Sequence, residues 1–352
     1  MVSSSLPFVF SSPPLLTERS SILISRGWSK VRAMADRCAV GEGGGGSVDI
    51  SQGFQCLDGI RSIAESGRFK AWLLDQFGVL HDGKKPYPGA ISTLKKLAGQ
   101  GAKLVVISNS SRRACVTIEK LKSLGFDPSV FSGTITSGEL THQYLLRRGD
   151  PFFATLGTSC IHMTWSDRGA ISLEGLGLQV VSSVDDADFI LAHGTEALGQ
   201  PSGESLPMDL DNLEKILVMA VKRKIPMVVA NPDYVTVEAR ALRVMPGTLG
   251  DKYEKLGGQV KWMGKPDKMI YSAAMSMVGA EVFDCITVGD SLHHDIKGAQ
   301  ASGISSAFVT GGIHANELGI ANFGETAASD AVHFLACKYD AYPSFVLPAF
   351  TW

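Results

Sequence analysis

The apolar run Ala71-Trp72-Leu73-Leu74 stops at Asp75 and passes at once into Gln76-Phe77-Gly78. A short uninterrupted apolar run reads as a strand buried on both faces, the kind found in parallel sheets covered by helices. An acid at its end, followed by a glycine turn, presents a carboxylate at the carboxyl edge of such a sheet, where open α/β folds gather their chemistry. Three more signals follow in order. Leu104–Ile107 leads into Ser108-Asn109-Ser110, then comes Gly264-Lys265-Pro266, and Cys285–Val288 leads into Gly289-Asp290-Ser291 with Asp295 behind it. Singly each has an ordinary explanation. A strand-end Asp forms turns or caps helices, Gly-Lys-Pro makes a turn, and Asn109-Ser110-Ser111 is a good helix N-cap. In this order, and mostly after β-rich apolar runs, they supply the acid, hydroxyl, lysine and acid pair that phosphoryl transfer needs.

On these motifs the chain resembles the haloacid dehalogenase superfamily, in its class with a large α/β cap inserted after the second motif. Para-nitrophenylphosphatase, pyridoxal phosphate phosphatase and phosphoglycolate phosphatase belong to that group. The resemblance runs from about Phe69 to Gly312, and Asn231-Pro232-Asp233 is similar to a motif near the end of such caps. It implies an α/β fold: a Rossmann-like parallel-sheet core with an inserted smaller α/β cap. It implies Asp75 as nucleophile, Ser108 as phosphate-binding hydroxyl beside the amides around Asn109, and Lys265 as the neutralising cation. It further implies a Mg2+ site made by Asp75, Asp290 and the backbone carbonyl of Phe77, with Asp295 orienting waters or Lys265. Phe77 departs from the family, whose phosphatases usually carry a second Asp there.

The chemistry requires these residue types. A carboxylate can attack phosphorus and form an acyl phosphate. Like charge opposes that attack on a phosphate dianion, and a hard cation with oxygen ligands relieves it. Positioning and electrostatics do most of the remaining work. A helix beginning near Asn109 would add a favourable N-terminal dipole. His293 and His294, between the acids of the last motif, read as surface or capping histidines or as ligands and proton carriers. His81 and Asp82 lie just past the nucleophile turn, within reach of a leaving group. His193-Gly194-Thr195 and Asn231-Pro232-Asp233 end cap strands and would either touch substrate or serve as turns.

The chain has 352 residues, of which 45% are hydrophobic, enough for a core with an inserted second domain. Its net charge of −2 is spread without a basic stripe, and no apolar run is long enough to span a bilayer. The expected partner is a small phosphorylated metabolite, not nucleic acid or membrane, with a homodimer left open. The scattered cysteines Cys38, Cys56, Cys115, Cys160, Cys285 and Cys337 form no Cys-x-x-Cys, as in a reduced, soluble intracellular protein. Residues 1–46 read as a transit or disordered segment with a glycine-rich linker. Met1–Ala35 is rich in Ser, with Arg19, Arg26, Lys30 and Arg32 against Glu18, the composition of an organelle transit peptide. Val31-Arg32-Ala33 suits plastid-type processing. The alternative is a cytoplasmic protein, with Met34 as its start.

The expected layout is a core over 53–137, a cap over 138–245 and a returning core over 246–352. Helices are expected after Pro88-Gly89, through Val116–Leu121, over Gly138–Arg148 and over Met208–Lys224. Strands are expected at Phe69–Leu74 and Leu104–Ile107 in the core, and at Phe152–Leu156, Gln179–Val181, Phe189–Ala192 and Met227–Ala230 in the cap. Pro246-Gly247-Thr248 should open a core helix, followed by core strands at Val260–Met263, Cys285–Val288 and Ser306–Val309. The aromatic tail Ala341–Trp352 should pack on the core. The functional expectation is a Mg2+-dependent phosphatase working through a phosphoaspartate at Asp75. The rival is a phosphate-ligand-binding or regulatory protein on the same fold, with little turnover because Phe77 replaces an acid.

Overall fold

The computed structural model describes residues 53–166, 171–238 and 241–352. The expectations placed on residues 1–46 therefore lie outside the described residues. The strands, in chain order, are β1 (Gln55–Cys56), β2 (Ala71–Leu74), β3 (Lys103–Ser108), β4 (Phe131–Thr136), β5 (Ser159–Thr164), β6 (Gln179–Val180), β7 (Phe189–Ala192) and β8 (Ala197–Gly199). They continue as β9 (Ser205–Pro207), β10 (Met227–Val229), β11 (Val235–Glu238), β12 (Ala241–Val244), β13 (Val260–Trp262), β14 (Cys285–Gly289), β15 (Ser305–Val309) and β16 (Phe345–Leu347).

The core sheet is parallel, in the order β1-β16-β15-β14-β2-β3-β4. Its strands alternate between two buried faces. Leu73, Val105, Ile107 and Cys285 pack on one side with Ile270, Tyr271 and Ala274 of helix Lys268–Val278. Trp72, Leu74, Val106 and Val288 pack on the other with Leu94 and Leu97 of helix Ala90–Gly99. Burial on both faces is why these segments read as continuous apolar runs. Each fully buried Leu or Val there contributes about 1.5–3 kcal/mol. The C-terminal tail does pack on the core, adding β16 between β15 and β1 and burying Phe350.

The second sheet, in the order β13-β10-β7-β5-β8-β9 with β6 beside β5, is inserted between β4 and β14. β11 and β12 pair antiparallel in a separate ribbon. Two expectations are corrected here. Phe152–Leu156 is not a strand: helix Pro151–Thr155 covers most of it, and the Asp150 side chain accepts the Phe152 N–H at 2.9 Å. An Asp followed by Pro is a helix start, and that local chemistry outweighs the aromatic β propensity. Val260–Met263 is not a core strand either. β13 pairs with β10, and helix Pro246–Lys255 buries Leu249 and Tyr253 against Leu213, Leu217 and Val229 of the second sheet's own core. The cap therefore runs through Trp262 rather than ending at 245. β10, the helix and β13 form one parallel crossover unit, and an apolar run carries no address saying which sheet it joins.

Among the described residues no helix is long and apolar enough to cross a membrane. Cys56, Cys115, Cys160 and Cys285 are free thiols.

Candidate active site

β14, β2 and β3 are neighbours at the centre of the core sheet, with Val288 opposite Leu74 and Leu74 opposite Val106. Their carboxyl ends therefore deliver Asp290, Asp75 and Ser108 to one edge. Lys265 arrives from the other direction. It lies just past β13, where the chain returns from the cap to helix Lys268–Val278, and its peptide bond to Pro266 is cis. Lys265 Nζ donates to Asp75 Oδ1 and Asp295 Oδ1 at 2.7 Å each. Carboxylate oxygens of Asp75, Asp290 and Asp295 all lie within 4.8 Å of one another. The structure thus brings together Asp75, Ser108, Lys265, Asp290 and Asp295, all buried.

The loops around these groups are shaped for close approach. Gly78 has φ +87°, and a side chain there would run into the Asp290 carboxylate. Ile313 N–H, from the loop after β15, donates to Asp290 Oδ2 at 2.7 Å. Asp295 sits in a single wide helical turn, Leu292–Ile296, where its Oδ2 accepts the Ser291 N–H at 3.1 Å. Such wide turns recur at functional sites. The Tyr271 hydroxyl, 3.1 Å from the carbonyls of His294 and Asp295, pins that turn to helix Lys268–Val278.

Asn109 acts as a clamp. Its Oδ1 accepts the Lys265 N–H at 2.7 Å and the Ser137 hydroxyl at 3.2 Å. Its Nδ2 donates to Asp233 Oδ1 of the cap at 2.8 Å and to the Lys265 carbonyl at 3.2 Å. The Asn109 side chain is therefore occupied by protein, and what it offers a ligand is its backbone. The helix expected to begin there starts later, at Ala114, with Arg113 as N-cap and no side-chain cap bond. Glu139 supplies the missing acceptor, taking the Ala114 N–H at 3.2 Å and pairing with Arg113.

The site opens into a cavity of about 580 Å³. Beyond the five grouped residues its lining includes Phe77, Asp82, Tyr87, Asp233, Val235 and His294. The Phe77 side chain is turned outward, 38% exposed, with its ring edge-on to His81 at 5.9 Å. Asp82 lines the cavity, and His81 does not. The His81 ring is buried and engaged at both nitrogens, by Gly83 N–H and by Gln76. His193 pairs with His162 inside the cap at 3.1 Å, and Thr195 bonds the Val244 carbonyl, so neither lines the cavity. Asp233 and His294 both do, with His294 Nδ1 3.5 Å from Asp233 Oδ1. Tyr87 and the loop after β15 were not found from sequence, although Thr310-Gly311-Gly312 at a strand end carried the same signal as Gly289-Asp290.

Burial pushes the Asp75 carboxyl up to about 7, with Lys265 pulling down and Asp295 pushing up. Burial, then Asp75 and Asp295, hold Asp290 well above the usual carboxylate range. Burial alone would lower Lys265, but Asp295 and Asp75 hold its ammonium charged, well above its ordinary value. Three acids thus share one cation. A divalent cation fits this donor set: oxygen ligands only, no Cys or His among the three grouped acids, and an excess of negative charge whose ionised forms it would favour. Lys265 is already essential to the balance. Lys265→Met should cost about 3–5 kcal/mol, because it leaves buried carboxylates uncompensated. Denaturant unfolding in metal-free buffer measures this, and an unchanged midpoint would contradict the pairing.

Comparison with known proteins agrees with this geometry. Residues 72–179 match the family model of haloacid dehalogenase-like hydrolases, and residues 262–332 match a second model of the same hydrolases. A 5'-nucleotidase of Bacillus subtilis is 24% identical over 254 residues, covering 71% of this chain and 90% of its own. A Caenorhabditis elegans protein carrying the NipSnap name is 26% identical over 252 residues, covering 68% of this chain; the chain spans about half of that longer protein, 48%. A haloacid dehalogenase-like hydrolase of Brucella suis, solved as a crystal structure, superposes with a TM-score of 0.64 at 21% identity, over 83% of this chain and 99% of its own. With the strand-end acids, the lysine and the cap inserted between β4 and β14, these matches place the chain among the haloacid dehalogenase-like hydrolases.

Proposed function

We propose that this hydrolase is a Mg2+-dependent phosphomonoester phosphatase acting on a small phosphorylated metabolite through a phosphoaspartate at Asp75. The observation that carries the reading is the Lys265 ammonium held 2.7 Å from both Asp75 and Asp295 on the wall of a cavity of about 580 Å³. A cavity of that size suits a small ligand. The phosphatase reading is also supported by the 5'-nucleotidase among the relatives.

Asp75, Asp290 and the Phe77 carbonyl would hold Mg2+, with Asp295 orienting its waters. When bound, the ion neutralises phosphoryl and carboxylate charge. Ser108 and backbone amides near Asn109 hold the phosphoryl oxygens, and Lys265 offsets their charge. An Asp75 oxygen attacks phosphorus while the ester P–O bond breaks and its electron pair leaves with the alcohol oxygen, which takes a proton from solvent. Water then attacks the acyl phosphate at phosphorus and gives up a proton to solvent. The bond to Asp75 breaks, the carboxylate is restored and inorganic phosphate departs.

A second reading is favoured by Phe77, which cannot carry a proton: a phosphate-binding regulatory protein with little turnover. A panel of phosphate esters assayed with Mg2+ separates the two. Hydrolysis is expected with Mg2+ and is expected to vanish after EDTA and return on adding Mg2+. Turnover that survives exhaustive chelation would contradict the proposed chemistry. Phosphate binding without any turnover would favour the regulatory reading.

A further inference from the structure

The hydroxyl of Ser108 is aimed by two residues that do not line the cavity. The Gly83 backbone N–H donates to His81 Nδ1 at 3.0 Å. A backbone N–H can only donate, so Nδ1 carries no proton. With Nδ1 accepting, the ring is neutral and carries its single proton on Nε2. That nitrogen lies 3.3 Å from Gln76 Oε1. The contact is a hydrogen bond only with the amide oxygen on the histidine side, so the Gln76 NH2 must face the other way, and its Nε2 donates to Ser108 Oγ at 2.8 Å. The Ser110 N–H reaches the same oxygen at 3.2 Å. Ser108 Oγ thus accepts two N–H groups, and no acceptor among the described residues takes its own proton. Ser108 lines the cavity, and that proton has only the cavity to point into. A phosphoryl oxygen is purely an acceptor, so a hydroxyl fixed as a donor suits it.

We infer that Gln76 and His81 are positioning residues that lock the Ser108 hydroxyl as a hydrogen-bond donor toward a phosphoryl group. The relay follows from the fold. Gln76 stands one residue past Asp75, with β2 registered so that Leu74 faces Val106. The Gln76 carbonyl then accepts the N–H groups of Leu80 and His81 at 2.8 and 3.1 Å, folding His81 back over it. All three residues are buried, so water does not substitute freely for any link.

The inference rests on the phosphate-site reading, and the test separates the two. Binding of inorganic phosphate in the presence of Mg2+ is measured by calorimetry for wild type, Gln76→Met, Ser108→Ala and the double variant. Wild type should bind. Gln76→Met should weaken binding roughly five- to ten-fold, part of the value of one hydrogen bond to a charged group, because the hydroxyl remains but is no longer aimed. In the Ser108→Ala background the same change should have no further effect, because Gln76 acts only through that hydroxyl. If Gln76→Met does not fold, Gln76→Glu enters the same cycle. It still accepts from His81, but it takes the Ser108 proton instead of donating, and its loss should likewise vanish without Ser108. Effects that add independently, or an unchanged affinity in folded Gln76→Met, would overturn the inference alone. A wild type that binds no phosphate would overturn the phosphate-site reading and the inference with it.

Discussion

Asp75→Asn is expected to lose hydrolysis by a factor on the order of 10⁴–10⁶, the scale seen when a covalent nucleophile is removed. The amide is nearly the size of the carboxylate and can still accept from Lys265 Nζ, now 2.7 Å from Asp75 Oδ1. The fold should therefore survive. Burial holds Asp290 well above its usual range, and replacing one of three crowded acids relieves the repulsion that adds to it. Stability should be unchanged or slightly raised while turnover collapses. Steady-state rates on an aryl phosphate, together with denaturant unfolding of the same preparation, check both halves. A variant with wild-type turnover would remove Asp75 from the chemistry. A variant that is inactive only because it is unfolded would be recognised by its unfolding curve.

Phe77→Asp is expected to raise turnover, most for substrates whose leaving group is a poor one. General acid-base catalysis contributes roughly 10²–10⁴-fold, which sets the upper limit of the gain. Phe77 is among the residues that line the cavity, and loss of its ring opens space beside Gly83, where a side chain would otherwise touch the ring at 2.8 Å. A carboxylic acid there would protonate an alcohol oxygen as it leaves, and the carboxylate so formed would then take a proton from the water that attacks the acyl phosphate. An alkyl phosphate gains from both steps. Para-nitrophenyl phosphate, whose leaving group needs no proton, gains only from the second. The ratio of the two gains is therefore the informative quantity. If wild type already hydrolyses alkyl phosphates fast and Phe77→Asp adds nothing, the proton comes from elsewhere. Asp82 is then the first residue to test, since it lines the cavity. His81 is not, because both its ring nitrogens are bonded within the protein.

Much of this site was legible in the sequence because its parts sit at strand ends. A run such as Leu73-Leu74 fixes the strand, and the next residue is then at the sheet edge whatever the rest of the chain does. Asp75, Ser108 and Asp290 follow from that alone, and β7 was read to the residue. What was missed depends on contacts between distant segments. β13 was read as a strand but assigned to the wrong sheet, because its partner β10 is some thirty residues earlier and nothing local names it. The clamp made by Asn109 joins Asp233 and Lys265, 124 and 156 residues away. Phe152 and Phe153 carry strand propensity, yet the Asp150-Pro151 cap decided the conformation. Gln76 gave no signal at all. Its importance comes from the partners on either side of its amide, and those are set by tertiary structure.

The central claim is that Asp75 carries the phosphoryl group, and the most direct measurement is the mass of the enzyme itself. Wild type mixed with para-nitrophenyl phosphate and Mg2+ and quenched in acid should carry one phosphoryl group, mapped by fragmentation to Asp75. It should be long-lived because Phe77 cannot activate water, and Asp75→Asn should carry none. Turnover without any such adduct, or an adduct on another residue, would contradict the account.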